Sequence, residues 1–178
     1  MRPFSSEYTV EIGDFRLASY HALVFRYRTM LRIAVVVMLV SLAYAIASVL
    51  GAGTPNLMVF FIGGAYMIWL LIMLAGVEKN IRSYVRQPDC LVGQRFRADF
   101  DAQEVRIRIP ARKVDARLPY QGLACVFELS SLFLFYVNAA QVYMVPVRAM
   151  SREDRLSLRS HLTGILGDKF SSRFRGKS

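Results

Sequence analysis

Near the N-terminus the chain alternates. In SEYTVEI, Tyr8, Val10 and Ile12 are interleaved with Glu7, Thr9 and Glu11, the period of a half-buried strand. The period then lengthens. Asp14 is placed to cap a helix, and in the run FRLASYHALVFRYRTMLR the residues Phe15, Ala18, Ala22 and Phe25 share one face. Arg16, Arg26 and Arg28 keep that helix partly charged, which predicts an interfacial segment leading into a more apolar region.

From Ile33 to Val77 there is no charged side chain at all. Two segments inside this block, 33–51 and 57–77, each supply about the 20 helical residues that a bilayer core requires. Lipid offers no hydrogen bonds, so each segment is expected to be a helix with its backbone satisfied internally. Gly53, Pro55 and Asn56 between them predict a tight turn and hence a helical hairpin. The competing reading is a buried helix pair, but a 178-residue chain cannot cover two helices that are apolar all round. Ser41, Ala43, Ala45, Ala47 and Gly51 offer small residues at four-residue spacing for close helix packing, with Gly63 and Gly64 to receive them. Trp69, at mid-span, is expected to pack rather than to anchor in headgroups.

Beyond the second segment a short helix is expected to run to Gln87, before Pro88. The period then returns to two. Phe96, Ala98 and Phe100 alternate with Arg95, Arg97, Asp99 and Asp101, and Val105, Ile107 and Ile109 alternate with Arg106 and Arg108. KVDARLPY adds a weaker third strand, giving one-sided antiparallel strands joined by short turns.

Residues 129–147, LSSLFLFYVNAAQVYMVPV, are uncharged and long enough to tempt a third crossing. That crossing would put Asn138, Gln141 and Pro146 in lipid. Its middle, NAAQ, reads as a turn, and LFLFYV and QVYMVP on either side have strand length and strand composition. The segment is therefore expected to be a β-hairpin. Ser151 with Asp154 resembles a capping box for a helix whose apolar stripe is Leu158, Leu162, Ile165 and Leu166. The basic remainder, 168–178, is expected to be a disordered tail.

Charge decides the orientation. The net charge is +10, and all 23 Lys and Arg lie outside the apolar block. Arg26, Arg28 and Arg32 precede the first span, and Lys79, Arg82 and Arg86 follow the second, while the turn has no charge. Cations concentrate on the cytoplasmic side, so both ends are expected inside and the turn outside. Those six residues are candidate contacts for anionic lipid. The opening residues do not read as a signal peptide, since Glu7 and Glu11 sit where its apolar region belongs. Cys90 and Cys125 form neither a disulfide framework nor a metal pattern.

Two spans, a small sheet, and an apolar hairpin ending in VYMVPVRAMSREDRLSLRSHL resemble the YcxB-like family of bacterial membrane proteins. Pro146, Val147 and Arg148 stand at its Pro-Lys-Arg-like element, with Val147 replacing the usual lysine, and Tyr120 stands where relatives often carry tryptophan. YTVEIGDFRLASYHALVFR also resembles the family's opening strand and helix. The resemblance implies a C-terminal domain similar to pleckstrin-homology-like (PH-like) folds, a bent antiparallel sheet capped by one helix, in a bacterial inner-membrane protein. It implies no reaction. The expected fold class is an α+β membrane protein: a transmembrane two-helix hairpin plus a small antiparallel β-sheet domain, PH-like, capped by a C-terminal helix. Its expected parts are an N-terminal strand and interfacial helix (1–32), the hairpin (33–77), the β domain (78–167) and the tail (168–178).

No catalytic constellation accompanies this pattern, so no enzyme and no cofactor are expected. Glu153 and Asp154 fit a helix first turn, Asp99 and Asp101 alternate outward, and Ser130 and Ser131 lack a nucleophile context. His21 and His161 have no ligand at metal spacing, and no phosphate-binding glycine loop is present. Arg95, Arg97, Arg106 and Arg108 would share one sheet face if their strands pair, a candidate anionic-ligand face, because a guanidinium donates two parallel hydrogen bonds to phosphate. The expected function is a non-enzymatic membrane protein displaying a binding module, with the bilayer and anionic phospholipid as partners. The alternative is a structural or regulatory subunit whose hairpin packs against another membrane protein or a second copy. Nucleic acid is not expected, because no base-stacking platform is apparent.

Overall fold

A computed structural model describes residues 2–51, 56–112, 114–138 and 141–172. It divides into two compact units, one of Met1–Ala18 with Pro88–Ser178 and one of Ser19–Gln87.

In the first unit, strand β1 (Phe4–Thr9) pairs antiparallel with β2 (Arg95–Phe100), which continues through β3 (Glu104–Ile109) to β4 (Val114–Pro119). A second sheet has the order β7 (Val142–Pro146), β6 (Leu132–Tyr136), β5 (Cys125–Glu128), β8 (Phe170–Ser172). β5, β6 and β7 pair antiparallel, whereas β8 lies parallel to β5. The inward residues of both sheets form one cluster: Phe96, Phe100, Val105 and Ile107 meet Val126, Phe133 and Phe135. Helix α4 (Arg152–Leu166) adds Leu158, Leu162 and Leu166 to this cluster.

The expected N-terminal strand is therefore part of the β domain, not a separate segment. Thr9 stands opposite Arg95 and Gly93 N donates to Val10 O at 2.9 Å, although the whole second unit lies between them in the chain. Helix α1 (Ile12–Arg26) starts earlier than the pattern predicted, and Ile12 is its first residue rather than the last of the strand. Asp14 caps it by accepting from Glu11 N at 3.0 Å. Its expected lipid-facing stripe is broken at Ala18, which is buried against Leu132, Leu134 and Tyr136 of β6.

That contact explains why residues 129–147 look like a span. β6 is buried at all five positions, with Phe133 and Phe135 in the main core and Leu132, Leu134 and Tyr136 in the cluster with Ala18. A strand covered on both faces reads as a continuous apolar run instead of an alternation. β6 and β7 form the expected hairpin, in which Asn138 Oδ1 accepts from Gln141 N at 2.8 Å. Residues 139 and 140 of its turn lie outside the described residues.

Ser151 Oγ accepts from Asp154 N at 3.1 Å, the predicted cap of α4, but Ile165 is 40% exposed and leaves the apolar stripe. The expected tail begins too early. Phe170 is buried in the main core and Val126 faces it across the parallel β5–β8 ladder, so the domain runs on to Ser172. Residues 173–178 lie outside the described part. Strand β5 carried no sequence expectation, because four residues are too few to declare a period.

In the second unit, α2 (Arg28–Val49) and α3 (Leu57–Val85) pack together, both long and apolar enough to cross a membrane by length and composition. Tyr27 interrupts the helix between α1 and α2. The expected turn residues Gly53 and Pro55 lie outside the described residues, while Asn56 caps α3 by accepting from Met58 N at 3.0 Å. The packed stripe of α2 includes Ala34, Ser41 and Ala45, and the remaining surface exposes Val36, Leu39, Val40 and Leu42. A Cβ added at Gly63 would stand 2.7 Å from both Cβ and Oγ of Ser41. The expected small-residue contact is thus made inside the hairpin at Gly63; at Gly64 an added Cβ would meet open space. Trp69 lines a groove with Met30, Ile33, Ala65 and Tyr66.

Candidate functional site

The outer face of the first sheet gathers the charged residues. Alternation sends Ala98, Val105 and Ile107 inward, so Arg95, Arg97 and Asp99 on β2 and Arg106 and Arg108 on β3 point outward. The register then sets their neighbours. Arg97 stands opposite Arg108, and Arg106 stands opposite Arg117. Like charges directly opposed are unfavourable, and the carboxylates sit where they relieve this. Asp99 bonds Arg108 and also accepts from Arg97 Nε at 3.1 Å. Asp115 Oδ1 accepts from Arg106 Nε at 2.7 Å, and Glu7 lies 3.7 Å from Arg97.

The electrostatics reflect that geometry. Desolvation would raise the Asp99 carboxyl, but hydrogen bonds from Arg108 and Arg97 outweigh it and hold it below the usual range. The Arg106 hydrogen bond lowers the Asp115 carboxyl, and Asp115 in turn raises the Arg106 guanidinium. The four predicted arginines do share a face, as their alternation required, but three of them already hold carboxylates. Arg95 and Arg117 hold none among the described residues. Arg108 Nε is buried and has no partner among the described residues. Arg95, Arg97 and Arg108 line an open depression together with Glu7 and Asp115. Arg117 and Asp115 escaped the sequence reading because their strand, VDARLP, alternates weakly; only the register puts them on this face.

The six predicted lipid contacts belong to the helical unit. Arg26 closes α1 with its guanidinium 5.7 Å from the Tyr27 ring centroid, and Arg28 and Arg32 lie in the first turns of α2. Lys79 and Arg82 lie in the last turns of α3, and Arg86 caps it. Because α2 and α3 run antiparallel as a packed pair, both groups occupy the same end of the hairpin, where Tyr20 Oη donates to Glu78 Oε1 at 2.9 Å.

The residues of the family-like motif do not form one site. Tyr120 is buried in a 3-10 turn after β4, its ring edge-on to His161 at 5.8 Å and its hydroxyl without a partner among the described residues. Burial raises that hydroxyl above its ordinary range. Pro146 ends β7 opposite Leu132. Arg148 reaches back to the N-terminal segment, donating from Nη1 and Nη2 to Asp14 at 2.8 and 2.6 Å and from Nη2 to Thr9 O at 2.9 Å. A second buried carboxylate, Glu128, accepts from Arg155 Nε at 2.8 Å, Arg159 Nε at 2.6 Å and Ser172 Oγ at 2.7 Å. These two carboxylates hold the ends of the domain together. The sequence marks Asp14 only as a cap and gives Glu128 no role, because a partner more than a hundred residues away, or one inside the expected tail, has no local signature.

Among the described residues no three His, Cys, Asp or Glu side chains gather as a metal site. No curated protein and no solved structure matches the chain. Residues 100–162, from the end of β2 into α4, match the family model described as YcxB-like protein. The matched stretch holds β3 to β7 and most of α4, the centre of the two-sheet unit. Over those residues, about a third of its length, the chain is similar to the YcxB-like family.

Proposed function

We propose that this is a non-enzymatic, two-span membrane protein that displays a PH-like binding module on the cytoplasmic side of a bacterial inner membrane and contacts anionic lipid headgroups. One observation carries this reading: α2 and α3 expose large apolar side chains along their length, with only 6% of each apolar window buried. Exposed residues such as Val36, Val40, Leu71 and Ile72 would be costly in water and are at home in lipid. At one end of this hairpin stand Arg26, Arg28, Arg32, Lys79, Arg82 and Arg86. Each cation near an anionic leaflet gains about 1 kcal/mol. Two four-stranded sheets closed by a C-terminal helix support the PH-like description.

The connectivity fits a display role. The helical unit is inserted between neighbouring strands, so the sheet leaves for the hairpin after Thr9 and resumes at Arg95, which faces Thr9. The alternative, a subunit that packs through its hairpin against another membrane protein, draws on the small residues, but Ser41 and Gly63 already occupy each other. That contact favours the first reading.

The test is a reporter fusion. An alkaline phosphatase that matures only outside the cytoplasm, joined after Ser178, is expected to stay inactive, while one inserted between Gly51 and Asn56 is active. Activity at Ser178 overturns the topology. Replacing the six cations by glutamine should lower the share of anionic phospholipid that copurifies with the chain, and an unchanged share removes the headgroup contact.

A further inference from the structure

β4 is an outer edge. β3 pairs with it on one side, and on the other no strand lies among the described residues. The existing ladder determines which of its backbone groups are spare. Tyr120 N donates to Gln103 O at 3.0 Å, in the same register that sets Val105 opposite Leu118 and Ile107 opposite Ala116. Bonded and non-bonded positions alternate along an antiparallel pair. Val114, Ala116 and Leu118 therefore turn their N–H and C=O toward β3, and Asp115 and Arg117 turn theirs away from the sheet.

We propose that a second copy of this chain occupies this edge, β4 against β4, about a two-fold axis at Ala116, so that the two sheets become continuous. An antiparallel partner must bond at Asp115 and Arg117, and this leaves three central registers for identical strands. Centring on Asp115 opposes two carboxylates, and centring on Arg117 opposes two guanidinium groups. Centring on Ala116 sets Asp115 opposite Arg117 of the second copy at both ends of the axis. Each of those pairs exchanges both backbone hydrogen bonds and also joins opposite charges across the strands. Val114, 42% exposed, then faces Leu118 of the second copy.

Charge supports this occupant over a generic guarded edge. An edge is blunted by charged side chains, especially Lys, and by proline, and Pro119 ends this one. Here two opposite charges two residues apart repel the wrong registers and match one. Arg117 stands opposite Arg106 in its own sheet and holds no carboxylate among the described residues, and Asp115 of the second copy, already bonded to its own Arg106, is shared with it. The matching surface is the same on both copies, as a two-fold interface requires.

An interface of this length is weak, so the test traps it covalently. In the full chain, solubilised in detergent and carrying Cys90→Ala and Cys125→Ala, an Ala116→Cys thiol would meet its copy at a non-bonded antiparallel pair. The Cα separation there is about 4.5 Å, within disulfide range. Mild oxidation is expected to give a dimer-sized adduct. Adding Arg117→Asp opposes acid to acid, and adding Asp115→Arg opposes base to base, so each alone loses the adduct. Arg117→Asp sets an acid opposite Arg106, whereas Asp115→Arg removes the carboxylate that Arg106 holds and faces Arg108, so the circular-dichroism melt of each variant is matched to the parent's before adducts are compared. Mixing the two variants, distinguished by mass, restores an adduct between unlike chains. No adduct from Ala116→Cys, one that survives Arg117→Asp, or no rescue on mixing overturns the proposal; a dimer made through the helices or an edge held by another protein gives the first result.

Discussion

Arg148 and Asp14, 134 residues apart in the chain, form a two-pronged ion pair, Nη1 to Oδ1 at 2.8 Å and Nη2 to Oδ2 at 2.6 Å. The Asp14 side chain is 7% exposed and the Arg148 side chain 43%. Arg148→Ala leaves a mostly buried carboxylate with its helix cap alone, at a cost of about 2 kcal/mol, the range for charged hydrogen bonds. The exposed guanidinium keeps the loss below that of a deeply buried pair. Thermal melts of the detergent-solubilised chain, followed by the β signal in circular dichroism, should show the first unit melting about 9 °C lower.

Glu128 gives a pH dependence. Burial by itself would raise its carboxyl, but hydrogen bonds from Arg159, Ser172 and Arg155 outweigh this and hold it below the usual glutamate range. A carboxyl lowered by folding stabilises the fold above its unfolded pKa, and that contribution is lost as pH falls through its folded value. Glu128→Gln should therefore cost about 3 kcal/mol at neutral pH, leaving two mostly buried guanidinium groups without an anion. Parallel melts of both proteins should converge on acidification below the carboxylate range and stay apart above it.

Phe170 tests where the domain ends. It is 2% exposed and packs in the main core. Phe170→Ala should cost about 3–5 kcal/mol, and a chain truncated after Lys169 should lose β8 together with the Ser172 bond to Glu128. Proteolysis rates of the first unit report both. A truncated chain as resistant as the full one would return these residues to a tail.

Gly63 and Gly64 are neighbours with opposite expectations. At Gly63 an added methyl meets Ser41, so the helices must separate, at roughly 1–3 kcal/mol for an overpacked contact. Gly64→Ala meets nothing and should be near neutral or slightly stabilising. Ser41→Gly should rescue Gly63→Ala. Loss of helical signal during titration with a denaturing detergent ranks the four variants.

On the arginine ladder, Asp99 holds two guanidinium groups that face each other across β2 and β3. Asp99→Asn frees Arg108 and leaves Arg97 with Glu7 alone. The solubilised chain should then elute from heparin at higher salt, whereas Asp101→Asn, outside the ladder, should shift it less. Equal shifts would show that only net charge is sensed.

Legibility tracked locality. Alternation in QRFRADFD and EVRIRI needs only neighbouring residues to show one wet face and one dry face, and both strands lie where the pattern put them. The uncharged run to Val77 likewise declared two helices without any partner in view. β6 defeated the same logic in part, because cover on its second face by Ala18 erased its alternation, and its hairpin was recovered from Asn138 and Pro146 instead. Arg117 was lost for a different reason: whether it joins Arg106 depends on a register that a one-residue slip would reverse.

The order of residues alone determined that two stretches would be helices and that strands with one charged face would flank them, since those outcomes depend on side-chain period and on the cost of unmet backbone groups. Tertiary structure alone decided that β1 closes the sheet across an inserted hairpin, that Phe170 belongs to the core, and that most of the arginine face is already neutralised. Each of those rests on pairing between residues far apart in the chain, where register rather than composition selects the neighbour.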